Sequence, residues 1–276
     1  MSPNRQRGIE LLDLSLRTGW RLTLLESHYA AMAAAWLIGL AVWLVISHRL
    51  DAVWSPLEQD FERPWVEFAF SLIAAVGILC MGQLWSHGIR LPESGRFGPL
   101  LAALNQVLIF LPILLLLMMR DQSWKTAWLP DGRIGVRIGV GLLVAGIATT
   151  AYSFLRADAA PPLKLMANIF QFQHIDEFVQ VLLEDITIAI VFVRLSAATH
   201  AYRATIVVAV LFAAGHLPAM LNQGATLLEV AQLVRDAGLG IAVILVLRRS
   251  SDVLWFCFLR FAMDMTQFTV VNDVRL

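Results

Sequence analysis

Two adjacent carboxylates, Glu184 and Asp185, stand in the middle of the apolar stretch FVQVLLEDITIAIVFV. A carboxylate at bilayer depth costs about 2.5–3.5 kcal/mol on insertion scales, so a pair of them marks a functional site by default. Around them Gln173, Glu177, Gln180, Glu184 and Thr187 recur at steps of four, three, four and three. At about 100° per residue these side chains hold one narrow stripe of a helix, which faces protein or water rather than lipid. The plainer reading of the stripe is a ladder of interhelical hydrogen bonds. The chemical reading is the lining of a site. Downstream, in LFAAGHLP, His216 follows Gly215 and precedes Pro218. An imidazole there exchanges a proton near neutral pH, and the proline frees a backbone carbonyl at the same level, although a lone histidine on an apolar face also serves as a packing residue. In DVLWFCFLRFAMDMTQF, Arg260, Asp264 and Gln267 form a further i, i+4, i+7 stripe, for which an internal Arg260–Asp264 ion pair is the structural alternative. Glu229, Gln232, Arg235 and Asp236 precede GLGIAVILVL and read as structural, with Gly240 allowing close helix approach.

The elements that must position these groups follow from composition. Of the 276 residues 58% are hydrophobic and 15% charged, with a mean hydropathy of +0.69, whereas a soluble domain carries about 25% charged residues. The expected class is an integral, multi-pass membrane protein in contact with the lipid bilayer. A net charge of zero and the absence of one basic face exclude nucleic acid as a partner. Cys80 and Cys257 both fall in apolar stretches, where a thiol behaves as a small core hydrophobe and no structural disulfide is expected. Taking roughly 20 apolar residues as the span length, candidates run about 29–47, 65–85, 98–119, 134–155, 177–195, 205–222, 228–247 and 251–271. The expected fold is therefore all-α, a polytopic bundle of about eight transmembrane helices. Residues 1–28 predict an interfacial amphipathic helix, with Glu10, Asp13, Arg17 and Arg21 set against Ile9, Leu12, Leu16 and Trp20. The following run is too long for a signal-peptide core and reads as an anchor. Arg5, Arg7, Arg17 and Arg21 precede it and an acidic loop follows, which predicts a cytoplasmic N-terminus. The chain divides into residues 1–28, N-terminal transmembrane helices of unassigned role over 29–165, and a polar-studded core over 166–276 that carries the chemistry. His28, His48, His87 and His174 lie near span ends and read as interfacial. The chain has no nucleophile elbow, P-loop or dinucleotide fingerprint.

The order EDITIA, FAAGH and RFAMD resembles the CAAX prenyl protease and bacteriocin-processing family of intramembrane endopeptidases, also called the Abi or CPBP family. That family's pattern is Glu-Glu-x-x-x-Arg on one helix, Phe-x-x-x-His on the next, and His-x-x-x-Asn or Asp near the end. The similarity covers roughly residues 175 to 270, and it rests on order, spacing and membrane context together. By resemblance, Glu184 takes the place of the glutamate that activates the attacking water, Asp185 that of the second acid, His216 that of the histidine working with the glutamate, and Asp264 that of the final Asn or Asp. Two positions depart: Ala189 stands where the family has arginine, and Arg260 where it has its second histidine.

Peptide hydrolysis needs a base for water, an acid for the leaving amine and donors for the oxyanion. Glu184 suits the base, His216 orients the water or passes on the proton, and the five N–H groups of Arg260 suit an oxyanion unless Asp264 engages them. A metal version is the alternative: zinc takes three protein ligands, here Glu184, His216 and Asp264, with Asp185 as a further donor. Three functions follow. The first is an intramembrane endopeptidase acting on a membrane-associated peptide or protein, or on a lipid-anchored C-terminal segment. The second is a catalytically impaired, protease-like binding or assembly factor. The third is a proton-coupled transporter that relays along the Glu177–Glu184 and Arg260–Asp264 stripes.

Overall fold

A long apolar run satisfies its own backbone groups most completely as a helix, and the expected spans fold as such. The computed structural model describes residues 30–50, 54, 60–156, 159–222 and 224–273; the interfacial helix expected over 1–28 lies outside them. The described residues are all-helical, with no strand: α1 (Ala30–Arg49), α2 (Pro64–Ser86), α3 (Gly98–Ile109), α4 (Leu111–Met119), α5 (Ile134–Leu155), α6 (Pro162–Ile169), α7 (Ile175–Ala198), α8 (Ala201–Gly215), α9 (Leu217–Asn222), α10 (Leu227–Ser250) and α11 (Val253–Asp273). Three of them, α1, α2 and α5, are long and apolar enough to cross a membrane, and a fourth span results when α3 and α4 count as one. Those two meet at 55°. Pro112 has no N–H to offer Leu108, so the helix breaks at Phe110. A second proline, Pro218, likewise cannot donate to Ala214. α8 accordingly stops at Gly215, and His216 occupies the break before α9.

α7 is the centre of the bundle. It packs against α2, α3, α8 and α11. Its C-terminal half from Ile186 to Leu195 is buried on almost every side, including Ala189, Ile190 and Phe192, as expected of a helix apolar all round. The position of α11 relative to α7 is set from behind by α5. A Cβ added to Gly141 would lie 2.7 Å from the carbonyl oxygen of Trp255 and 2.9 Å from its Cα, so the two backbones approach as only glycine allows. Trp255 in turn stacks on Trp43 of α1 with ring centroids 4.5 Å apart. Asp252 caps α11 by accepting from the Leu254 N–H at 2.8 Å, and its other oxygen accepts from Trp54 Nε1 at 2.9 Å and from Arg137 of α5. The capped, glycine-seated α11 thus presents Arg260 to α7 at a fixed height. Contacts cross residue 165: α2 and α3 pack on α7, and α5 packs on α11.

Candidate functional site

The acidic pair of α7 is met by the guanidinium of α11. Arg260 Nη1 donates to Asp185 Oδ1 at 2.6 Å, Nη2 donates to Glu184 Oε2, and Nε stands 3.5 Å from Asp264 Oδ2. The ion pair expected one turn along α11 is therefore the longest of three contacts, and the shorter two cross between helices. A guanidinium suits this arrangement because its planar fork reaches two carboxylates at once. Its face lies over the ring of Phe212 in α8, 5.2 Å from the centroid. Glu184 accepts on its other oxygen from Gln180 Nε2 at 3.0 Å, one turn earlier on α7. Asp185 is wholly buried, and its Oδ2 has no hydrogen-bond partner among the described residues. Three carboxyl groups thus surround one guanidinium.

Beside this cluster lies a cavity of about 930 Å³ between α2 and α8, floored by α7. Gln180, Glu184 and Thr187 line it, as does His216 at the end of α8, so the structure brings the acidic side of α7 and the imidazole to one hollow. Among the described residues Glu184 is the only Asp, Glu, Lys or Arg that lines it. His216 is exposed there; its Nδ1 lies 3.0 Å from the Phe212 carbonyl, which can only accept. Nδ1 therefore carries the hydrogen, and in the neutral ring Nε2 is left with its lone pair. Phe212 accordingly serves both partners, its ring under Arg260 and its carbonyl on His216. The Thr187 hydroxyl donates to Leu183 O at 2.8 Å within the same helix, so this member of the α7 stripe is no rung of an interhelical ladder.

Gln83, His87 and Gln106 from α2, its C-terminal cap and α3 also line the cavity. Nothing in the sequence tied them to the distant Glu184; only His87 was marked, as a residue near a span end. Glu229, Gln232, Arg235 and Asp236 fall on α10 and Gln267 on α11, and their side chains lie outside the described ones. A second buried polar centre went unread in the sequence. Arg194, fully buried near the end of α7, donates to Ile190 O at 2.9 Å and to Gln122 Oε1, and Gln122 Nε2 donates to Glu67 Oε2 at 2.7 Å. Arg120 pairs with Glu67 as well, and the Arg194 guanidinium lies 5.5 Å from the Phe61 ring centroid. The signal was present as an arginine within an apolar run. Its partner, a glutamate in the first turn of α2, is too far along the chain to find by spacing.

The donor set does not fit a metal. Among the described residues no three His, Cys, Asp or Glu side chains gather as a metal site requires, and Arg260 bridges Glu184 and Asp185 with a charge of the same sign as a metal ion. The zinc set of Glu184, His216 and Asp264 expected from the sequence is not assembled. Compared with known families, curated proteins and solved structures, the chain matches none.

Proposed function

We propose that this chain is a multi-pass intramembrane endopeptidase of the CPBP kind, with about eight spans and a cytoplasmic N-terminus, that hydrolyses a membrane-associated peptide with water activated on Glu184. The observation that carries the reading is the shared cavity: Glu184 and the acceptor-ready His216 line one hollow between α2 and α8. Each Glu184 oxygen accepts one hydrogen bond, and a carboxylate oxygen has two lone pairs, so a cavity water still has a site on either. Glu184 would take the proton of that water as it attacks the scissile carbonyl. His216 Nε2, in the same hollow, would help orient the water, and once protonated it would return the proton to the leaving amine. Arg260 does not line the cavity, so the donor facing the developing oxyanion would be a lining carboxamide such as that of Gln106. The membrane setting is supported by large apolar side chains left exposed around the bundle, among them Leu37, Ile73, Leu143, Ile206 and Val210.

One observation favours a second reading. The guanidinium holds both members of the acidic pair, so part of their acceptor capacity is already committed to a protein partner and less is left for water. The same hollow would then bind a membrane segment without cutting it. A carrier is the reading least supported, because between Asp185 and Arg194 the side chains of Ile186 and Ile188 to Val193 are buried and apolar. The deciding experiment is a cleavage assay in membranes with a candidate peptide encoded beside the gene. Wild type and Arg260→His should process it while Glu184→Ala and His216→Ala do not. Equal processing by all four variants ends the peptidase reading; processing by Arg260→His alone selects the binding one.

A further inference from the structure

The cavity has two unlike ends. α2 runs antiparallel to α7, since Glu67 at its start reaches Arg194 through Gln122 while Gln83 near its end lines the hollow that Gln180 also lines. At one end stand Gln83, Gln106, Gln180, His216 and Glu184; at the other stand Leu72, Val76, Ile188, Val191, Val208 and Leu211. The charge at the polar end is of one sign. Arg260 is not among the lining residues, so the cavity faces Glu184 with the guanidinium behind it. Behind that face the cluster still holds two carboxyls more than guanidiniums, and Asp185 Oδ2 is buried there without a partner. In a low-dielectric pocket such an excess favours a cation strongly.

From this geometry we infer that the cavity selects an extended apolar membrane peptide carrying one basic side chain, lysine or arginine, placed against Glu184, with the apolar residues beside it running along Val191 and Val208. A peptide fits the lining better than a simple amphipathic amine. An ammonium head offers three donors and no acceptor, which leaves the carboxamide N–H groups of Gln106 in the cavity wall without a match, whereas a backbone supplies both donor and acceptor at every residue. The volume, about 930 Å³, belongs with sites for small ligands and short segments, which run to about 1,000 Å³. This inference names the substrate class of the proposed site and rests on that site, but it concerns binding and not turnover.

The test uses the full chain in lipid nanodiscs and equilibrium binding of three labelled apolar peptides that differ at one central residue: lysine, norleucine or glutamate. The lysine peptide should bind at least about tenfold more tightly than norleucine, and the glutamate peptide more weakly than either. Glu184→Gln should erase the preference while norleucine binding persists, which also reports that the variant is folded. Gln106→Leu should weaken all three peptides and keep their order. Equal affinity for lysine and norleucine overturns the inference, and so does competition by dodecylamine as strong as that by the lysine peptide, which would assign the cavity to a lipid amine. Cleavage without a basic preference would sink this inference and leave the peptidase reading standing. A basic preference without cleavage would do the reverse.

Discussion

α7 carries two buried charge centres between two and three helical turns apart, and they differ in what surrounds them. At Arg194 every partner is protein: Gln122, Thr126, the Ile190 carbonyl and, through Gln122, Glu67. No residue of that network lines the cavity. At Glu184 and Asp185 the same types of group meet, a guanidinium and carboxylates, but one carboxylate faces an open hollow and one buried oxygen is unmatched. The contrast teaches that burial of charge alone does not mark a site. The Arg194 centre staples α2 and the Trp124–Ala127 turn to α7; Arg194 Nε is buried without a partner just as Asp185 Oδ2 is, but none of its groups borders the hollow. The Glu184 centre keeps polar capacity directed at empty space, which is where a reacting molecule has to sit.

That contrast breaks most sharply under Glu184→Gln. The amide keeps the size of the side chain but only one acceptor, for Gln180 or for Arg260; Arg260 retains Asp185 and Asp264, so unfolding in detergent should cost no more than about 1–3 kcal/mol. Peptide processing should fall by about 10²- to 10⁴-fold, the usual worth of a general base. Processing that survives within a factor of two would move the chemistry elsewhere. Glu67→Leu tests the opposite side. Arg194 would remain fully buried with its opposite charge removed, which should cost roughly 3 kcal/mol, the low end for breaking a buried pair because Arg120 turns partly outward. Processing per folded molecule should not change. A thermal melt that does not move would show the sealed centre to be dispensable.

A third variant reaches the open centre from behind. In Gly141→Ala the new methyl would meet backbone atoms of Trp255 at 2.7 and 2.9 Å, and backbone cannot rotate out of the way. The overpacking should cost about 1–3 kcal/mol and shift α11. Because Arg260 rides on α11, its hold on Glu184 and Asp185 should loosen with it, and processing should change in the direction that Arg260→His changes it. A stable Gly141→Ala protein with unaltered processing would show that α5 does not set the height of Arg260.

The two centres were unequally legible in the sequence. Every expected span finds a helix at its place because apolar run length is a local property, and the break in the third is written as Pro112. Only three or four of those helices are apolar enough to count as spans on composition, since α7 and its neighbours carry the very charges that make them interesting. Glu184, Asp185 and His216 could be read because each is an anomaly in its own run. Arg260 could be read too, yet its nearest partner by spacing, Asp264, proved the weaker one: the strong contacts join residues 75 and 76 positions apart. Pairing across that distance depends on the α5–α11 contact at Gly141, and no periodicity encodes it. Glu67 and Gln122 were hidden for the same reason, and so was the dual role of Phe212, whose ring and carbonyl serve different neighbours.

The finest difference between the centres is how firmly a carboxylate is aimed. Glu184 is held on one oxygen by Arg260 from α11 and on the other by Gln180 from its own helix. Arg260 also serves Asp185 and Asp264, so Gln180 is the one partner whose side chain is directed at Glu184 alone. Gln180→Leu removes that aim without removing charge. The base remains ionic and paired with Arg260, so folding should be nearly unchanged. The carboxylate would be free to rotate about its terminal torsion, and misplacing a reacting group lowers the rate without weakening substrate binding. The expected result is a fall in kcat of about tenfold with KM within twofold of wild type, read from initial rates over a range of peptide concentrations. Gln180→Glu should do worse, since it sets a like charge against Glu184. A rise in KM at constant kcat would instead make Gln180 a contact for the bound peptide and not the group that orients the base.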